Sequence, residues 1–186
     1  MEQEKKNDLV MNAFADSRSS IYAGKELKTH YKADAYGSNG ELMWTDDFDN
    51  IVVTQGLNDS LERHFRAAAY TAAWYVGLAS GTPATAAAAD TLSSRTGWFE
   101  ASGYSQATRP ALTFAAAAGG VMAATAATFN ITNDNTSVVG AFVSSGNIIG
   151  QTGGVLYGVG QFSGGAKLLS NGDTLNVTVT VTAAVP

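Results

Sequence analysis

The feature that most limits what this chain can fold into is a strict alternation near its C-terminus. Between Leu175 and Thr182, Leu or Val at the odd positions alternates with Asn or Thr at the even positions. Because successive side chains of a β-strand point to opposite faces, this pattern predicts a strand with one buried and one polar face. The preceding Ser-Asn-Gly-Asp at 170–173 predicts the turn that leads into it.

A second alternating segment predicts a hairpin near the start of the chain. Leu27, Thr29, Tyr31, Ala33 and Ala35 share one face of a predicted strand, with Lys, His or Asp between them. Gly-Ser-Asn-Gly at 37–40 supplies residues that tolerate the positive φ of a tight reversal. Residues 41–45 are then expected to return as the second strand. The acidic run at 46–50 predicts a turn before the β-branched run at 51–54.

Short apolar runs continue this β pattern over the rest of the chain. They predict strands at 74–78, 98–100, 110–114, 125–131, 137–144 and 154–162. About eight strands with one short helix indicate an all-β fold, a β-sandwich with jelly-roll-like topology. We expect an N-terminal arm over residues 1–26 and a β-sandwich domain over residues 27–186. The long segment Ser80–Gly97 is predicted to be a functional or mobile loop.

A single helix is predicted between the third and fourth strand segments. Asp59 and Glu62 have the spacing of a capping box at a helix start. Leu57, Leu61 and Phe65 recur every four residues, which places them on one helical face. We expect this short helix to plug one end of a sheet.

The arm carries an apolar cluster within an otherwise polar segment. Its members are Leu9, Val10, Met11 and Phe14. Two interpretations stay open: a frayed terminus, or a tether whose cluster packs on a neighbouring subunit. The tether interpretation makes these four residues the candidate interface, and such an arm would cover the open edge of a sandwich.

Composition excludes several classes of function. The 186 residues carry 11 Lys and Arg against 16 Asp and Glu, a net charge of −5, which argues against binding to nucleic acid. With no cysteine, disulfides, thiolate zinc sites and cysteine nucleophiles are excluded. No stretch of about 18 apolar residues predicts a membrane span. After Pro110 the only charged side chains are Lys167, Asp134 and Asp173, so much of the surface should carry almost no charged groups.

No set of residues predicts catalysis, and we expect neither an enzyme nor a cofactor. A hydrolase would require His30 or His64, the two histidines, to meet a serine and a carboxylate in space. The oxygen side chains of Asp46, Asp47 and Asp49 could bind calcium, but a solvated loop is the favoured interpretation. Six aromatic residues could stack on a sugar, although core packing is favoured for them. They are Trp44, Trp74, Tyr75, Trp98, Tyr104 and Tyr157.

A series of short motifs runs in a characteristic order from about Lys32 to the C-terminus. They are WTDDF at 44–48, NIVVTQGLND at 50–59, TAAWYVGL at 71–78, RPALTF at 109–114, VGAF at 139–142, LYGVGQF at 156–162 and GDTLNVTV at 172–179. This order resembles a family of small virion structural proteins of tailed bacteriophages, most like head decoration (cement) proteins. The resemblance does not include the first thirty residues, and it implies no enzymatic activity.

The resemblance implies a role in the virion. We expect a capsid decoration protein, made in the host cytoplasm, that binds the major capsid protein on the head surface and bridges capsomers. Self-association as a homotrimer is expected, because most self-associating proteins form closed symmetric assemblies. We do not expect the protein to bind nucleic acid or membranes. The alternative is a tail, neck or fibre accessory protein that binds a receptor or sugar, with the loop Ser80–Gly97 and exposed aromatic residues in contact with the sugar.

Overall fold

The computed structural model describes residues 26–66, 73–81 and 86–184, and in these ranges it contains twelve β-strands and one α-helix. In chain order the elements are β1 (Glu26–Tyr36), β2 (Leu42–Val52), α1 (Thr54–Phe65), β3 (Trp74–Ser80), β4 (Phe99–Glu100), β5 (Ala111–Leu112), β6 (Val121–Ala123), β7 (Ala127–Asn130), β8 (Thr136–Val138), β9 (Gly140–Ser144), β10 (Leu156–Gln161), β11 (Lys167–Leu169) and β12 (Thr174–Ala184). The all-β prediction is therefore confirmed. The candidate interface residues Leu9, Val10, Met11 and Phe14 lie outside the described residues, and so does almost all of the predicted arm.

Ten of the twelve described strands form an antiparallel sandwich whose two layers share the strand β2, and β8 pairs with β11 in a separate two-stranded sheet. The order is β4-β3-β9-β10-β2-β1-β12-β6, with β5 paired to β3 and β7 paired to β12. The first part of β2 pairs with β1, whereas its last residues, 50–52, pair with β10. We call β2, β1, β12, β6 and β7 the front layer, and β10, β9, β3, β4 and β5 the back layer.

One hydrophobic core lies between the layers. The front layer contributes inward residues such as Tyr31 and Val177, and the back layer contributes Val76, Leu78 and Val143. All of these are buried. The inward residues of β1 and β12 are the ones that alternation predicts, and the two strands pair antiparallel over their whole length, from Glu26–Ala184 to Tyr36–Thr174.

A second core covers the other face of the back layer. Leu92 and Trp98, from the long segment after β3, pack with Phe142 and Val159 of the sheet. Asp90 holds this segment in place, because its carboxylate accepts hydrogen bonds from the backbone N–H and hydroxyl of Thr96 (3.0 and 2.7 Å) and from the Trp98 indole (2.8 Å). Residues 86–97 of the predicted functional or mobile loop, together with Trp98, thus form a structural cover over the sheet.

The back layer also contains a buried ion pair. Arg109 and Glu100 have side chains 0% and 3% exposed, and their closest N–O distance is 2.7 Å. Arg109 also donates to the carbonyl oxygens of Gly146 (2.7 Å) and Gln151 (3.3 Å). The pair therefore anchors the β9–β10 loop to β4.

Two local predictions are wrong. The acidic run at 46–50 is not a turn but the middle of β2, and the change of layer by this strand occurs at its end. The helix begins at Thr54, not at Asp59, and no side chain caps its first turn. Asp59 and Glu62 instead form i,i+4 ion pairs with Arg63 and Arg66.

Candidate functional site

Helix α1 packs on the sandwich through its small and polar residues. Gly56 is buried, and a Cβ at this position would overlap the backbone of Tyr157 in β10. One turn later, Ser60 donates to the Gly56 carbonyl oxygen (3.0 Å). Asp59 accepts two hydrogen bonds from Arg63 (2.6 and 2.8 Å), and both side chains are mostly buried. A helix can approach a sheet this closely only where it presents a glycine.

The apolar stripe of α1 consequently faces solvent. Leu57, Leu61 and Phe65 are 41%, 56% and 76% exposed. Their helical spacing was predicted correctly, and the helix does pack on the sandwich, but it does so through the side opposite this apolar row. The three side chains form a contiguous apolar surface, which we call the α1 stripe, and such surfaces mark interaction sites when they are larger than scattered single residues.

A cavity lies between α1 and the sandwich, on the opposite face of the helix from the α1 stripe. Its volume is about 240 Å³. The floor is formed by the buried residues Thr29, Val143 and Val179. The walls and rim are formed by half-buried residues, namely Asp59, Ser60, Arg63, Trp74, Phe114, Met122, Tyr157 and Val181. Apolar walls with a few polar groups are typical of ligand pockets.

Two hydroxyl groups stand out in this cavity. Thr29 is 1% exposed, and its Oγ1 atom has no hydrogen-bond partner among the residues that the structure describes. The phenol of Tyr157 hydrogen-bonds to Ser60, and burial raises the pKa of this phenol above its usual range. A buried hydroxyl without a partner costs about 1–3 kcal/mol, so the Thr29 hydroxyl is the least satisfied group in the cavity.

Sequence reasoning missed this cavity, although one signal was present. Thr29 stands among Leu27, Tyr31, Ala33 and Ala35 on the inward face of β1, where every other residue is apolar. A hydroxyl in an otherwise apolar row is costly to bury when it has no partner. The pattern did not show that α1 would leave space above it.

The acidic residues of β2 are separated by the alternation of the strand. Asp46 points inward and accepts hydrogen bonds from the backbone N–H and hydroxyl of Ser163 (3.0 and 2.9 Å). Asp47 and Asp49 point outward, and both contact the imidazole of His30. Among the described residues, no cluster of three His, Asp or Glu side chains could hold a metal ion.

His30 is held between two carboxylates on the outer face of the front layer. Its Nδ1 atom lies 2.9 Å from Asp49 Oδ1, and its Nε2 atom contacts Asp47. The hydrogen bond to Asp49 and the negative charge of Asp47 raise the pKa of His30. His64 instead packs against the ring of Phe65, and in the described part of the chain neither imidazole hydrogen-bonds to a serine.

The six aromatic residues considered for sugar stacking are buried or half-buried. A different ring is accessible: Phe99 is 57% exposed and lines a polar groove of about 300 Å³. The groove also contains Asn133, Asp134 and Asn135. Asn135 has a positive φ of 58°, which is uncommon for a residue other than glycine.

The outer face of the front layer carries a row of uncharged hydroxyl side chains. Thr178, Thr180 and Thr182 occupy alternate positions of β12, and they lie opposite Lys32, His30 and Lys28 in the register with β1. In the neighbouring strand β7, Thr128 donates to the Asn176 side chain (2.8 Å). This face is polar, but on the β12 side it has almost no charged side chains.

Comparisons with protein-family models, with curated proteins and with solved structures gave no match. Across residues 26–66, 73–81 and 86–184, no helix has both the length and the apolar character needed to cross a bilayer.

Proposed function

We propose that this chain is a structural protein of a bacteriophage virion, a decoration protein that binds the head surface and bridges capsomers. The observation that carries the proposal is the α1 stripe, in which three large apolar side chains are exposed along one face of a single helix. The order of motifs that resembles phage virion proteins supports the same role. In this role the protein acts by adhesion and not by catalysis.

The α1 stripe has the properties of the centre of an interface. Aromatic and aliphatic side chains dominate the buried centre of protein–protein interfaces, whereas charged groups lie at the rim. Burying the exposed parts of Leu57, Leu61 and Phe65 would contribute about 3–5 kcal/mol, taking 1.5–3 kcal/mol for each side chain buried completely. A stable contact needs about 800 Å² on each partner, so the polar surface around the stripe would form the rim.

The capsid is the proposed partner because repeated contacts suit a small adhesive domain. A protein that binds two capsomers at once gains affinity through effective concentration without stronger individual contacts. Association of three copies, as predicted for the chain, would place three α1 stripes on one assembly. Residues 1–26 remain a proposed second contact.

Immunogold labelling of intact virions tests the location of the protein. We expect label over the whole head surface, and label confined to the tail would contradict the decoration role. The contact surface is tested by adding purified variants to heads that lack the protein. L61D should lose most of its binding, whereas L168D should bind like the original chain. Leu168 is a matched control because it is 67% exposed and lies on β11, outside the helix.

The alternative proposal is a tail, neck or fibre accessory protein that binds a sugar. It is supported by the groove in which Phe99 lies beside the polar side chains of 133–135. An exposed ring can cover the apolar face of a sugar while amides and carboxylates bind its hydroxyls. A glycan array probed with the original chain and with F99A distinguishes this role, because only sugar binding through the groove would be lost in F99A.

A further inference from the structure

We propose that four apolar residues of the N-terminal segment, Leu9, Val10, Met11 and Phe14, cover the α1 stripe of their own chain in the unassembled protein. We call these residues the arm cluster. The inference deepens the proposed function and rests on it for the role of the α1 stripe in binding the head. It follows from the exposure of the stripe, the place at which the described chain begins and the length of the segment before that place.

The α1 stripe is a surface that selects an apolar occupant. Phe65 is 76% exposed, the highest value among the large apolar side chains of the described residues. The charged groups nearest to the stripe offer nothing to an ionic partner, because Glu62 and Arg66 already form an ion pair at 2.8 Å. What the stripe lacks is contact with other apolar side chains.

The described chain begins beside α1. Thr29 of β1 lines the same cavity as Ser60 and Arg63 of α1, so the first residues of β1 lie close to the C-terminal half of the helix. Glu26, where β1 begins, is three residues from Thr29, about 10 Å along a strand. The segment that precedes Glu26 is therefore joined to the sandwich next to the helix.

The connecting residues are long enough to carry the arm cluster to the far side of α1. Eleven residues, 15–25, separate Phe14 from Glu26, and an extended chain of this length spans at most about 36–40 Å. The path to be covered consists of about 10 Å along β1, the narrow cavity, and the helix, which is about 10–12 Å wide with its side chains. The arm cluster can therefore reach the stripe of its own chain.

The composition of the N-terminal segment makes the arm cluster the part that fits. Apart from Met1, residues 1–20 contain no other large apolar side chain. Val10 and Phe14 are four positions apart, the same spacing as in the α1 stripe, and side chains at this spacing share one face of a helix. A short tether gives the cluster an effective concentration in the millimolar range. At lower protein concentrations the contact is thus made within one chain and not between two copies.

The test measures paramagnetic broadening by NMR in the full-length protein. Because the chain has no cysteine, N12C introduces a single thiol that carries a nitroxide label within the arm cluster. We expect this label to broaden the backbone amide signals of Leu57, Leu61 and Phe65. In a mixture of ¹⁵N-labelled chain without nitroxide and unlabelled chain with nitroxide, the same signals should stay sharp.

Charges placed in the arm cluster should release it from the stripe. V10D/F14D should lower the ratio of covered to uncovered protein, obtained from the broadening, at least tenfold. A tenfold change corresponds to about 1.4 kcal/mol, which is less than the burial of one large apolar side chain contributes. S17D/S20D is the matched control, because it adds two charges to the same segment outside the cluster, and it should change the ratio less than twofold.

Charges placed on the sandwich test the other side of the contact. L61D should release the arm cluster as V10D/F14D does, whereas L168D on β11 should not. The proposal is overturned if the stripe signals of the original chain are not broadened, if they are broadened equally in the mixed sample, or if V10D/F14D and S17D/S20D behave alike.

These measurements are made on the isolated protein and are independent of the virion. If the stripe signals stay sharp but L61D still loses binding to heads, the arm contact is wrong and the decoration role stands. If the signals are broadened as expected but L61D binds heads like the original chain, the arm contact stands and the α1 stripe is not the surface that binds the head.

Discussion

Replacing Glu100 by glutamine should destabilise the back layer through the charge that it leaves behind. Arg109 and Glu100 form two hydrogen bonds of 2.7 Å, from Nε to Oε1 and from Nη2 to Oε2. Glu100 Oε2 also accepts from the backbone N–H of Gly150 (2.7 Å). Glutamine preserves the volume, but its amide group has only one acceptor oxygen, and its NH₂ group opposes the guanidinium donors.

The magnitude follows from the burial of both groups. Removal of one partner of a buried ion pair costs about 3–5 kcal/mol, because the other charge is left uncompensated. Arg109 would keep its hydrogen bonds to Ser144 (3.1 Å) and Gly146 (2.7 Å), so we expect the lower end, about 3 kcal/mol. For a chain of this length that loss lowers the Tm by about 6–12 °C.

Urea denaturation followed by tryptophan fluorescence measures this loss. E100Q should shift the midpoint to lower urea with an unchanged slope m, which is the signature of a change in stability alone. E62Q is the matched control, because it breaks the ion pair between Glu62 and Arg66 on the exposed face of α1, and it should cost less than about 0.5 kcal/mol. The double variant E100L/R109M should recover much of the loss, because it removes both charges.

A loss below about 1 kcal/mol in E100Q would refute this reasoning. Such a result would mean that water reaches Arg109 and that the pair is effectively exposed. Equal losses in E100Q and E62Q would refute it as well, since burial would then have no influence on the energy of the two pairs.

Three more predictions follow from contacts in the fold. NMR titration should give His30 a pKa above the usual value of about 6.5, and D49N should lower it. Since folding favours the charged imidazole, this contribution to stability is complete below about pH 6.5 and is lost as the pH rises through the pKa of the folded state. Helix propensity alone predicts that G56A stabilises α1 by about 1 kcal/mol. Because the added methyl group would overlap the backbone of β10, we expect instead that the free energy of unfolding falls by about 1–3 kcal/mol, measured by urea denaturation. D90N should cost about 1–3 kcal/mol and shift the fluorescence of Trp98 to the red, because an amide cannot accept all the hydrogen bonds that hold residues 86–98.

The alternating segments were predictable because their period alone determines which side chains are buried. The prediction for β12 and for the β1–β2 hairpin needed only the two faces of a strand and the turn residues between them. Short strands without alternation were not predictable. The strands β6 and β11 have three residues each and form only by pairing with β12 and β8.

The acidic run of β2 shows why a local pattern can mislead. Three aspartates within four residues are typical of a turn, yet Asp46 is buried because Ser163, 117 residues away, supplies two donors. Asp47 and Asp49 fit a strand because His30 lies opposite them on β1. Partners this far away in the sequence cannot be inferred from the residues that flank the aspartates.

The sequence by itself determined the β class, the face of each long strand and the apolar row along α1, since these depend on periodicity within a single element. Only the tertiary structure decided which side of α1 meets the sandwich. Gly56 allows a close approach that no larger residue would permit, so the helix turns its polar side inward. That choice leaves Leu61 and Phe65 in solvent and a cavity above Thr29, because exposure depends on how separate elements fit together and not on the order of residues within one of them.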